Sequence, residues 1–364
     1  MELDDGDPAP QQLLSRAAHR GRGVSDNPGN RFESTRHQPD PEWDHAQDPS
    51  PETVLLDDDT QGILAHNDSP DIGFDTSINP YRGCEHGCVY CYARPTHEYL
   101  GMSAGLDFET RILVKRRAPA LLRAALAAPG WRPRIIAASG VTDCYQPIER
   151  DLRLTRACLE VLAEFRNPVG IITKNHLVTR DRDVLARLAA DGAALVTITV
   201  TTLRPELART LEPRASSPAA RLAAIRTLAD AGIPVGVNIA PVIPGLTDHE
   251  IPAILAAAAA AGAGHAGYTL LRLPHGVKAL FETWLGDHQP LAKDKILNRM
   301  RAMRGGGLYD ADFATRMTGA GVFAQQIADL FTVARRRAGL AERWPELNTG
   351  AFRSPWGVQQ KIFG

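Results

Sequence analysis

The stretch Asn79-Pro80-Tyr81-Arg82-Gly83-Cys84-Glu85-His86-Gly87-Cys88-Val89-Tyr90-Cys91-Tyr92 holds three of the chain's five cysteines, spaced Cys-x-x-x-Cys-x-x-Cys. Three thiolates in so short a loop can close around one inorganic centre and leave one metal position without a protein ligand. A cubane iron–sulfur cluster held this way keeps an iron open. An open position is what separates catalytic metal sites from structural ones. The competing reading is a structural zinc with His86 as fourth ligand, although zinc modules favour paired Cys-x-x-Cys knuckles.

Downstream of this loop, short apolar runs alternate with amphipathic stretches. Arg134 to Ala138, Val169 to Thr173, Ala194 to Val200, Val235 to Ile239 and Gly267 to Leu271 read as buried strands. Between them, Asp151 to Phe165 and Asp181 to Ala190 read as helices, and Ser217-Pro218 opens another with a cap followed by proline. Thr247-Asp248-His249-Glu250 has the pattern of a capping box ahead of an alanine-rich helix. A first strand is expected around Thr76 to Tyr81, an extended segment over Phe108 to Lys115 and a helix over Ala118 to Ala128. Strand–helix alternation implies βαβ units, a parallel sheet and right-handed crossovers that curl it into a full or partial barrel. The cysteine loop would then lie at the carboxyl ends of the strands, where such folds build their sites.

Residues 1–70 are rich in Asp, Pro, Gly and Arg and read as an irregular N-terminal extension, either a flexible tail or one docked on the core. Residues 71–275 form the barrel, and residues 276–364 a helical C-terminal extension with a loop tail, its helices expected over 277–285, 291–303 and 312–338. The 364 residues, 44% hydrophobic and 23% charged, predict a packed core. A net charge of −1 gives no global signal for nucleic acid or membrane. Few, clustered cysteines fit metal chemistry in a reducing cytoplasm, not a secreted disulfide framework. Met1-Glu2-Leu3-Asp4-Asp5 has no signal-peptide pattern, and the apolar run Ala253 to Gly264 is too short to span a bilayer.

The cysteine spacing, with Tyr90 just before the third cysteine, resembles the signature of radical S-adenosylmethionine (radical SAM) enzymes. The repeated βα pattern resembles that superfamily's partial (β/α)6 TIM-type barrel. Within it, Asn79 to Cys84, Thr142-Asp143-Cys144-Tyr145-Gln146-Pro147-Ile148-Glu149, Thr173-Lys174-Asn175 and Glu212-Pro213-Arg214 resemble the group related to spore photoproduct lyase. The flanks are similar to a bacterial branch of that group. The resemblance implies a [4Fe-4S] cluster on Cys84, Cys88 and Cys91, with S-adenosylmethionine chelating the open iron. It implies hydrogen abstraction by a 5′-deoxyadenosyl radical and an electron donor of flavodoxin or ferredoxin type. Cofactor-binding roles then fall to Tyr90, to Thr142, Lys174 and Thr199 at the strand ends, and to Asn238 near the ribose. Val242-Ile243-Pro244-Gly245 resembles the loop that supports adenine. Bland readings stand beside these: a solvated strand-end lysine for Lys174, and ordinary turn or strand residues for Thr142 and Thr199.

Cys144 is either a hydrogen donor to a substrate radical or a buried loop thiol. The lyase's donor cysteine aligns with Gly140 here, a departure that sets this chain apart. Cys158, on the apolar face of its helix, reads as core. Arg204 and Arg214 are surface arginines or anion contacts, and His249, His265 and His275 carry no assigned role. Lys115-Arg116-Arg117 and Arg335-Arg336-Arg337 point to nucleic acid or to solvated faces. Gln359-Gln360-Lys361-Ile362-Phe363 resembles short peptides that dock in the bacterial sliding clamp, with a tail packed on its own domain as the alternative. The reaction expected is repair or modification of a nucleic-acid base. The alternatives are radical modification of a protein or small metabolite, or an iron–sulfur or zinc binding module without catalysis.

Overall fold

A computed structural model describes residues 19–33 and 51–354. Its strands are β1 (Val54–Asp57), β2 (Leu64–His66), β3 (Thr76–Ile78), β4 (Tyr81–Arg82), β5 (Arg111–Val114), β6 (Ile136–Ala138), β7 (Val169–Thr173), β8 (Ala194–Thr199), β9 (Val235–Val242) and β10 (His265–Leu270). Its helices are α1 (Leu106–Thr110), α2 (Ala118–Ala127), α3 (Glu149–Leu152), α4 (Leu154–Phe165), α5 (Arg182–Ala190), α6 (Pro205–Leu211), α7 (Pro218–Asp230), α8 (Ile251–Ala260), α9 (Val277–His288), α10 (Lys293–Ala302) and α11 (Gly321–Arg337).

Strands β3, β6, β7, β8, β9 and β10 pair in parallel in chain order, and β2 adds antiparallel to β3 at the outer edge. The sheet is open between β2 and β10, so the architecture is a partial (β/α)6 barrel. Val196 and Ile198 on β8 pack into the main core with Ile225 and Leu228 of α7. Thr197 and Thr199 alternate with them and therefore line the opposite, concave face. Three returns from helix to strand use the same device. Gly192, Gly232 and Gly262 take positive φ (69°, 71° and 100°). The next amide then bonds back to the helix in each case, Ala193 to Leu188, Ile233 to Leu228 and Ala263 to Ala258.

The C-terminal segment closes the amino end of the sheet. Ala341, Asn348 and Arg353 donate backbone N–H groups to Gly264, Gly192 and Phe165, residues that stand ahead of β10, β8 and β7. No helix among the described residues is long and apolar enough to cross a membrane.

Several expected elements are corrected. The first strand stops at Ile78, because Asn79 Oδ1 accepts from Tyr81 N–H (2.9 Å) and turns the chain. Tyr81–Arg82 pairs instead with β5 in a separate three-stranded sheet. The stretch expected as extended over 108–115 is half helix, α1, before β5. The helix expected over 151–165 breaks at Arg153 (φ 54°), and the Glu149 carboxylate caps α4 by accepting from Thr155 N–H (3.0 Å). Thr247 forms no capping box: its hydroxyl accepts from Ile243 N–H, and Glu250 binds Thr202, Leu203 and Arg204. The helix expected over 312–338 begins only at Gly321, since Gly319 and Gly321 both sit at positive φ.

Candidate functional site

The cysteine loop hangs from the carboxyl end of β3. Asn79 holds it from beneath, donating through Nδ2 to the Thr142 carbonyl (2.6 Å) and hydroxyl (2.8 Å). Cys84 N–H bonds the Phe108 carbonyl (2.9 Å), which ties the loop to α1. Gly83 sits at φ +82°, and a Cβ there would lie 2.9 Å from His97 and 3.0 Å from the Phe108 carbonyl. Arg94, fully buried, donates from Nε to the Cys88 carbonyl (3.0 Å) and pairs with buried Glu109 at 2.5 Å. The segment 19–33 docks on the same loop. Gly23 N–H bonds Glu109 (2.9 Å), and a Cβ on Gly23 would collide with the Gly87 carbonyl at 1.7 Å.

Cys84 and Cys88 are buried and Cys91 nearly so, and none is in a disulfide. Burial pushes all three thiols up; for Cys84 the charges of Asp143, Cys88 and Cys91 add to it. Two buried thiols and a partly buried third on one short loop suit an iron–sulfur cluster, which takes them as thiolates. His86 is not free to be a fourth ligand. Its Nδ1 lies 3.4 Å from Asp143 and its Nε2 3.2 Å from Asn175 Nδ2. No group of three or more His, Cys, Asp or Glu among the described residues is gathered as a single metal ion would require.

Behind Cys88 lies a buried polar hub that the sequence did not reveal. The Glu212 carboxylate accepts from the Tyr90 hydroxyl, from Thr201 (2.6 Å) and from Arg221, with Lys174 Nζ at 3.7 Å. Burial alone would raise the Glu212 carboxyl, but Arg221 and Lys174 hold it at about 2. Lys174 also donates to the Ala240 carbonyl (2.9 Å) and stands 5.9 Å from the centre of the Tyr90 ring. Thr199 is buried at the end of β8, its hydroxyl making no hydrogen bond to the described residues, and Asn238 is half-buried on β9. Val242 and Ile243 are buried, while Pro244 and Gly245 line a cleft of about 450 Å³ against α10 and α11.

Two expected site residues have their side chains engaged within the protein. Thr142 is buried, and its hydroxyl donates to the Tyr81 carbonyl (3.2 Å) while accepting from Asn79, so it braces the loop. Cys144 has no exposed surface and packs in the main core with Ser139 Oγ at 3.4 Å, which favours the buried loop thiol of the two readings. Gly140 holds φ +61°, and a Cβ there would lie 2.9 Å from Ser77 Oγ, so the local backbone resists a cysteine. Cys158 is core, as expected. Arg204 and Arg214 pair with Glu250 (3.0 Å) and Glu85 (3.1 Å). In the basic runs, Arg116 pairs with Asp57 and Arg335 with Glu342. The tail 359–363 lies outside the described residues.

The radical SAM superfamily model matches residues 78–258, which include the three cysteines and strands β6 to β9. The chain belongs to the radical SAM superfamily. It is therefore an enzyme of radical SAM type, and membership implies S-adenosylmethionine, an iron–sulfur cluster and a need for a reductant. An uncharacterized protein of Mycobacterium tuberculosis is 37% identical over 238 residues, 65% of this chain and 69% of the relative. An uncharacterized protein of Methanocaldococcus jannaschii is 32% identical over 173 residues, 48% of this chain and 62% of the relative. Among solved structures, a spore photoproduct lyase variant matches with a TM-score of 0.53 at 18% identity, covering 79% of this chain and 80% of that one. Another variant, with bound AdoMet and dinucleoside spore photoproduct, gives 0.52 at 17% identity over the same shares. These likenesses establish a shared fold.

Proposed function

We propose that this radical SAM enzyme repairs or modifies a base in nucleic acid, using a [4Fe-4S] cluster held by Cys84, Cys88 and Cys91. The observation that carries the cluster assignment is three free thiols on one short loop, two buried and one partly so, with His86 committed elsewhere. When bound, the cluster supplies the electron that splits S-adenosylmethionine into methionine and a 5′-deoxyadenosyl radical. The chain's own residues bind, orient and exclude water. Lys174 has three N–H donors; Ala240 takes one and Glu212 faces a second, which leaves one for the carboxylate of the methionine moiety. Thr199 offers an unused hydroxyl beside it, and Asn238 an amide for the ribose. Tyr90 acts from behind the loop, its hydroxyl fixed by Glu212. An electron donor of flavodoxin or ferredoxin type would supply the reducing equivalent.

The nucleic-acid reading is supported by the fold shared with a lyase whose structure holds a dinucleoside photoproduct. Against identity of reaction stands Gly140, where the lyase-like donor cysteine would be. The test is to offer the reduced, cluster-loaded enzyme S-adenosylmethionine with ultraviolet-irradiated oligonucleotide, undamaged oligonucleotide or a peptide. Faster 5′-deoxyadenosine formation with an oligonucleotide alone is expected. Acceleration by the peptide alone would overturn the nucleic-acid reading.

A further inference from the structure

The residues after β10 place a cation at the barrel mouth with no counter-charge of its own. Arg272 follows Leu270 and Leu271 at the carboxyl end of the edge strand. Its guanidinium lies 5.4 Å from the centre of the Tyr92 ring, beside Cys91, and Tyr92 is 48% exposed. Arg272 Nη1 meets only the Met317 sulfur (3.5 Å), a weak acceptor, and its Nε is buried with no acceptor among the described residues. Among the described residues no carboxylate hydrogen-bonds it, although Asp71 lies within its field. Arg304, buried, donates to the Leu271 and Arg316 carbonyls and to no carboxylate. Two carboxylates stand near this cluster and both are engaged: Arg316 occupies both oxygens of Asp71 at 2.5 Å, and Asp310 accepts from Thr315 and from Asp312 N–H and faces Arg304. A partly buried guanidinium facing weak or no acceptors is costly unless an anion completes it.

We infer that Arg272 is an anion subsite at the mouth, which takes a backbone phosphate of a single-stranded nucleic acid while the Tyr92 ring fixes the guanidinium plane. Arginine suits this because its planar fork stacks on an aromatic face and keeps its edge for two phosphate oxygens. The choice of phosphodiester over another anion rests on the nucleic-acid reading of the site. Arg272 at the carboxyl end of β10, stacked on Tyr92, which follows Cys91 in sequence, would put the strand's backbone at the rim and a base toward the cysteine loop.

The test measures binding of a fluorescein-labelled single-stranded 10-mer to the cluster-loaded full chain by anisotropy at several salt concentrations. Arg272→Gln should weaken binding about 10-fold, the loss of one charge-assisted contact. It should also flatten the plot of log affinity against log salt by about 0.7, one phosphate on a single strand. Arg272→Lys keeps the charge and should keep the slope with a smaller loss, which protects the test from a misfolded glutamine variant. Arg209→Gln, on a surface 73% exposed, should change neither quantity. Unchanged affinity and slope in Arg272→Gln would overturn the inference, as would equal binding of an acidic peptide. 5′-Deoxyadenosine formation without oligonucleotide binding would sink this subsite and leave the radical chemistry standing; binding without that product would do the reverse.

Discussion

On the cysteine-loop flank of the mouth, buried arginines are matched to carboxylates, Arg94 to Glu109 and Arg221 to Glu212, and His86 sits against Asp143. On the β10 flank, Arg272 and Arg304 have carbonyls, a sulfur and an aromatic ring for company, and the one ion pair there is Arg316 with Asp71. The first arrangement is complete without a ligand and fixes a loop whose own donors are thiols. The second holds Arg272 without a carboxylate hydrogen-bonded to it among the described residues, which suits an outside anion. One flank is thus built to hold geometry and the other to receive something.

The comparison can be broken at its strongest point first. Cys84→Ala, Cys88→Ala or Cys91→Ala should each abolish the cluster absorbance near about 400 nm, since a cubane needs all three thiolates; Cys158→Ala, in the core, should keep it. Next, Glu212→Ala removes the partner of a buried arginine. It should destabilise the fold by about 3–5 kcal/mol in urea unfolding, because Arg221 is left charged and unpaired.

The same carboxylate sets a pH dependence. Glu212 is held at about 2 against an ordinary 4.5, so its stabilisation is complete above about pH 4.5 and lost as pH falls through about 2. Unfolding midpoints of the wild type should drop across that window more steeply than those of Glu212→Gln. Smaller still, Gly140→Cys should cost about 1–3 kcal/mol, the range for a side chain forced into the left-handed region. The smallest effect belongs to Cys144→Ala, about 1 kcal/mol with cluster and 5′-deoxyadenosine yield retained. A selective loss of substrate turnover there would return Cys144 to the chemistry.

The barrel was legible because its signals are local. Each strand is a short apolar run, and three of the helix-to-strand returns carry a glycine, Gly192, Gly232 and Gly262. The three cysteines were legible for the same reason, lying within one loop. Glu212 was marked by its motif but its role as a hub was not, because Thr201 and Arg221 are near in sequence while Tyr90 is 122 residues distant. The inward partners of Thr142 and Cys144 were hidden, since a strand-end position does not say which way a loop turns afterwards. Ser139 at φ 114° and Gly140 at φ 61° carry that information, and it is backbone geometry. The free charge of Arg272 was also hidden, because it depends on which carboxylates other arginines already hold.

The central claim is that the thiol trio supports radical chemistry. The direct measurement reconstitutes the full chain with iron and sulfide without oxygen, reduces it, adds S-adenosylmethionine and quantifies 5′-deoxyadenosine and methionine. The account predicts both products in equal amounts from the wild type and neither from Cys88→Ala. A loaded, reduced cluster that yields no 5′-deoxyadenosine would contradict it.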